Sequence, residues 1–144
     1  MISVAMWIVW LHLLGMAMWL GGAAAQLFAI LPAAKADASM VGAPRRAQFL
    51  TSRAMEAVII TGFLNIIMRG LGSDWVFSRG FIAMLSIKIV LVLVMAGLQL
   101  WMGLAWRGEG VALDTAIRKA RTALPIQLLL GAVALLLGLG VRSV

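Results

Sequence analysis

Cysteine is absent from the 144-residue chain, so disulfides, thiolate metal sites and cysteine nucleophiles are excluded. Histidine occurs once, which leaves no ligand set for a closed zinc site. Acidic residues number only five, and charged residues of both signs make up 12% of the chain. A soluble domain of this length needs a polar surface, and this composition cannot cover one. No serine–histidine–acid set, paired carboxylates, phosphate loop or nucleotide fingerprint is present. What remains is apolar: 64% of the residues are hydrophobic, and such surface is stable only against lipid or other protein. The net charge of +7 does not indicate nucleic acid, because the basic residues stand at the ends of apolar runs.

A lipid-crossing helix needs roughly 20 mostly apolar residues. Four runs meet this, at about 4–31, 50–70, 80–106 and 122–141. They predict an all-α integral membrane protein, one four-helix bundle spanning residues 1–144. The first run is read as a retained span, since no Lys or Arg precedes it and it is much longer than a signal segment. Its strongly polar side chains are His12 and Gln26, and Pro32 is expected to end it. The second run reaches sufficient length only by including Arg53 and Glu56, which can pair three residues apart near the membrane interface. Gly70 and Gly72 are expected to terminate it. Asp114 is a candidate N-cap for a helix that begins ahead of the fourth span and would contain Pro125.

Lys and Arg counts set the orientation. Arg69, Arg79 and Arg142 fall on the side of the termini; Lys35, Arg45, Arg46, Arg53, Arg107, Arg118, Lys119 and Arg121 fall on the other. The heavier side is expected in the cytoplasm, with both termini on the outer, periplasmic side of a bacterial inner membrane. Trp7 and Trp75 suit the outer aromatic belt, and Trp101 and Trp106 the inner one. Ala17, Gly21 and Ala25 form a small-residue stripe that would serve either close packing inside the bundle or a homodimer face; Ala134 and Gly138 form a second.

His12 and Lys88 each lie a few turns inside spans that run in the same direction, so they are expected at one depth, with Thr61 and Asn65 in the same layer. A charged group there costs at least about 2.5 kcal/mol, and no carboxylate is predicted beside Lys88. Gly15, Met16 and Trp19 share the face of His12. Imidazole and thioether one turn apart suit Cu(I), or haem iron with Gly15 leaving room for the macrocycle. The candidate cofactor-binding set is His12, Gly15, Met16, Trp19, Asn65 and Lys88, with His12 and Met16 as metal ligands; catalytic residues are not identifiable. The other methionines serve either as a thioether path or as core filler. Gln26, Glu56, Gln99 and Gln127 are expected to form a second polar layer that bonds across the bundle.

Trp10-Leu11-His12, Trp19-Leu20-Gly21-Gly22, Thr61-Gly62-Phe63-Leu64-Asn65 and Lys88-Ile89-Val90 occur in an order that resembles the copper-resistance D (CopD) family. The likeness covers most of the chain and implies copper movement or tolerance. The layout is also similar to HemJ-type protoporphyrinogen oxidases, four-span proteins that bind b-type haem, which implies a haem pocket near His12 with Lys88 as polar partner. The further histidines of that type are absent here. Three functions follow as expectations: copper or haem handling at the His12 layer, porphyrinogen oxidation, or service as an accessory subunit in a larger membrane complex.

Overall fold

A computed structural model describes residues 3–40, 42–107 and 113–140. Helix α1 covers Val4–Ala25 and continues through a π turn at Gln26–Ile30 into α2, Leu31–Ala36. Helices α3 (Gly42–Gly72), α4 (Arg79–Arg107) and α5 (Leu113–Gly140) follow. Val4–Ala36, Gly42–Gly72, Arg79–Trp106 and Leu113–Gly138 are each long and apolar enough to cross a membrane. Val141 and Arg142, part of the expected fourth span and its flank, lie outside the described residues.

Three sequence expectations are corrected at helix ends. Pro32 does not end the first span. The π turn ahead of it closes with Leu31 N–H on the Gln26 carbonyl, and Pro32 falls in the first turn of α2, where a missing N–H is tolerated. The second helix begins at Gly42 rather than near residue 50. Pro44 occupies its opening turn, so Arg45 and Arg46 ride on helix that projects beyond the apolar run. Gly70 does not stop α3 either; it is buried against the Trp75 indole, where a β-carbon would sit 2.6 Å from the ring. Trp75 folds back through its N–H to the Gly70 carbonyl, 2.9 Å, at a positive φ of 62°. The helix ends two residues later, at Gly72. Asp114 lies in the first turn of α5, and Pro125 is inside that helix.

The helices pack antiparallel in chain order. Gly15 meets Val58, Gly22 meets Thr51, and Gln26 meets Pro44 and Gln48, which fixes the register of α1 on α3. Gln99 meets Thr51 and Ser52, and Gln127 meets Gln99, which fixes α4 and α5 against them. Close approach of α1 uses Gly15 and Gly22, seven residues apart. Ala17, Gly21 and Ala25 face outward, and a β-carbon on Gly21 would touch nothing. The expected packing stripe on the first helix is therefore not an internal one. On α5, Ala134 is buried and Gly131 is the tight point, its β-carbon position lying 2.4 Å from Leu20 and 3.1 Å from Trp19.

Two apolar clusters stack along the bundle axis. Met16, Trp19, Ala54, Met55, Val58 and Met95 form the one nearer His12; Ala23, Leu31, Met102, Ile117, Ala120, Ala123 and Leu124 form the other.

Candidate functional site

The polar side chains of the bundle fall into two layers, one on each side of the Met16–Met95 cluster. The deeper layer holds Gln26, Gln48, Thr51, Gln99 and Gln127, all buried. Gln127 Nε2 donates to Gln99 Oε1 at 2.9 Å and to the Met95 carbonyl at 3.2 Å. Gln99 Nε2 donates to Thr51 and Ser52 hydroxyls, both at 3.1 Å, and Gln48 Nε2 donates to the Gln99 carbonyl at 3.3 Å. These bonds tie three helices at one level, and Gln26 adds the fourth through Pro44 and Gln48. Glu56, expected in this layer, points outward and pairs with Arg53 on the bundle surface. Gln48, Thr51 and Ser52 take its place. A leucine at Gln99 would remove three side-chain hydrogen bonds from this layer, so Gln99→Leu is expected to cost about 1–2 kcal/mol in reversible unfolding from detergent micelles.

The shallower layer is built around His12. Its imidazole rests on the backbone of α3 at Gly62, where a β-carbon would come within 3.1 Å of Cε1. Its Nδ1 lies 3.0 Å from Thr61 Oγ1. The Thr61 oxygen is itself 2.6 Å from the Ala57 carbonyl. Two oxygens that close repel unless a proton lies between them, so the single hydroxyl proton belongs to the Ala57 bond. Thr61 therefore accepts from His12, and Nδ1 carries the ring proton. The Nε2 lone pair is left without a partner among the described residues. The Thr61-Gly62 dipeptide is thus a seat: hydroxyl for the tautomer, missing side chain for the ring.

The register places Lys88 level with Thr61 and Gly62, and the contacts agree. Its Nζ lies 3.3 Å from the position a β-carbon on Gly138 would occupy, at the matching height of α5. Lys88 and His12 are both half-buried and stand at the same level of the bundle. Lys88 has no salt-bridge partner among the described residues. Asn65 stands one helical turn further out on α3, half-buried, with no side-chain hydrogen bond among the described residues.

Below His12 the interior is closed. Met16 is 5% exposed and Trp19 is fully buried. The space above Gly15, expected to admit a macrocycle, is filled by the Val58 methyl, 3.1 Å from the β-carbon position. What the interior offers instead is thioether. Met16, Met55 and Met95 come from α1, α3 and α4 and belong to one cluster; Met55 and Met95 share a level, and Met16 lies nearer His12. The Trp19 indole N–H is buried with no partner among the described residues. No group of three or more His, Asp and Glu forms a metal site among the described residues. An open cleft at the start of α3, lined by Gly42, Arg45, Arg46, Phe49 and Leu50, contains none of the expected site residues.

No family model, curated protein or solved structure matches the chain.

Proposed function

We propose that the chain is a CopD-like inner-membrane protein that handles copper as Cu(I), with His12 Nε2 as the entry ligand and Met16, Met55 and Met95 as the thioether donors beneath it. The observation that carries this reading is the contact of His12 Nδ1 with Thr61 Oγ1, which assigns Nδ1 as the protonated nitrogen and leaves Nε2 as the ligand atom, one helical turn from a methionine cluster drawn from three helices. Neutral imidazole and thioether are ligands for soft, monovalent copper. The ammonium of Lys88 in the same layer adds selectivity, because its repulsion of a divalent ion is twice that of a monovalent one at the same distance. The basic-residue bias supports an orientation with both termini and the His12 layer toward the periplasm. The ordered motifs shared with the CopD pattern point the same way.

Lys88 favours a second reading. An ammonium with no salt-bridge partner among the described residues suits an anion-bearing group, and a haem whose propionate meets Lys88 would use His12 as axial ligand. The filled space at Gly15 leaves that group only the outer mouth of the bundle, and haem-dependent oxidation or an accessory role rests on no further feature of the site.

Purified protein separates the readings. Cu(I) competition with a chromophoric chelator is expected to give one bound copper per chain, and the visible spectrum no Soret band. A Soret band with no copper retention would transfer the site to haem, and neither signal would refute both. Thr61→Val should weaken Cu(I) retention about 10-fold while Thr61→Ser keeps it, since an orienting hydrogen bond to a ligand histidine has that order of effect.

A further inference from the structure

The outer face of α3 carries a charge pair in the wrong place for lipid. Arg53 and Glu56 bond to each other, and their side chains are 64% and 54% exposed. The sequence places them near the membrane interface; the register does not. Glu56 lies ten residues from Arg46 and thirteen from Arg69, the charges that bracket the apolar part of α3. At 1.5 Å per residue that is about 15 Å and about 20 Å, the middle of a hydrocarbon core about 30 Å thick. The same level meets α4 near Val94, midway between Arg79 and Arg107, and α1 near Ala17, midway along its apolar run. All three of these helices put the carboxylate at the midplane. Ionisable groups at that depth face a bundle interior or a partner.

The pair also stands in a seam. Phe49, Arg53, Glu56, Ile60 and Phe63 follow one another at spacings of four, three, four and three, and all are exposed. That is the repeat by which two parallel helices interlock, with polar members setting register and number of strands. Within the chain, the pair uses one guanidinium nitrogen and one carboxylate oxygen, so most of the hydrogen-bonding capacity of Arg53 and the second oxygen of Glu56 face outward.

We propose that this face of α3 is the two-fold interface of a homodimer, in which Arg53 and Glu56 of one copy meet Glu56 and Arg53 of the other at mid-bilayer. Two copies inserted with the same topology are related by an axis along the membrane normal, so their α3 helices run parallel. Under that axis a neighbouring cation and anion on one helix complement the same two on the other. The four charges close into a ring of alternating sign, and Phe49, Ile60 and Phe63 pack above and below it. The occupant is a second copy because the patch is neutral and self-complementary, where a foreign partner would bring its own charges.

The chain has no cysteine, so single thiols report cleanly. Ile60→Cys, in the seam, is expected to form a disulfide-linked dimer when membranes are treated with iodine. Leu136→Cys, 67% exposed on α5, is expected to stay monomeric. In an Ile60→Cys background, Glu56→Arg places four cations together and should lower the dimer yield at least ten-fold; the exchange Arg53→Glu with Glu56→Arg should restore it. The proposal is overturned if Ile60→Cys does not self-link, if both thiols link equally, if Ile60→Cys links instead to a different protein, or if reversing Glu56 leaves the yield unchanged. The thiol comparison keeps the native charges, so it decides the matter even where a charge variant fails to insert.

Discussion

His12→Ala is expected to abolish copper retention, with at least about a 100-fold loss of Cu(I) affinity against a competing chelator, while helical content is unchanged. The imidazole is half-buried at the margin of the bundle, and its side-chain hydrogen-bond partner among the described residues is Thr61. Removing it leaves Thr61 bonded to the Ala57 carbonyl, as helical threonines commonly are, so no buried polar group is stranded. The fold therefore has little reason to respond, and the loss falls on the ligand. Met16→Leu tests the deeper half of the same site. Leucine fills nearly the volume of methionine without the sulfur, so packing beside Trp19 survives and affinity should fall about 10-fold or more. Should either variant bind Cu(I) as the parent does, the metal is held elsewhere.

The largest effect on stability is expected at Gly131. A β-carbon there would lie 2.4 Å from the end of Leu20, which can turn aside, and 3.1 Å from the ring of Trp19, which is fully buried and cannot. Gly131→Leu forces α5 away from α1 and should cost about 3 kcal/mol, the upper range for overpacking a closed core. Gly21→Leu is the matched control. It lies at a similar depth on α1, but no atom approaches its β-carbon position within 4 Å. Its effect should stay within about 0.5 kcal/mol. Unfolding in mixed micelles, followed by tryptophan fluorescence, separates the two; equal effects would mean that α1 presents a different face to α5.

These two glycines also show how far the sequence could be read. Four spans were legible because length and composition alone settle whether a helix can cross lipid. Depth was legible for most internal polar residues: counting residues from the flanking charges placed His12, Thr61 and Lys88 in one layer, and Gln26, Gln99 and Gln127 in another, while Arg53 and Glu56 lie deeper than the interface where they were expected. Helix face was not. A spacing of four in Ala17, Gly21 and Ala25 marks a smooth stripe without saying which way it turns, and the bundle uses Gly15 and Gly22 instead. Gly15 illustrates the same gap, since a small residue beside His12 can admit a ligand or a neighbouring helix, and Val58 takes the space.

Other features escaped because they lie where hydropathy is weak. The first third of α3 carries Arg45, Arg46, Gln48, Thr51 and Arg53, and reads as a polar approach to a span that starts near residue 50. Its helix is held by tertiary contacts: Pro44 and Gln48 against Gln26, and Thr51 and Ser52 against Gln99. The glutamine layer therefore gained members from a segment that looked extramembranous, while Glu56, which looked internal, turned outward. The joining of Met55 and Met95 with Met16 depends on the register between three helices, which no single helix encodes.

The chain contains one histidine, so ¹⁵N-labelled histidine reports a single imidazole. The most direct measurement of the state of Nε2 is its ¹⁵N chemical shift in the metal-free protein at neutral pH. The expected spectrum shows a protonated Nδ1 and a bare, pyridine-type Nε2, which moves on addition of Cu(I). A protonated Nε2, or a bare one that ignores the metal, would contradict the site.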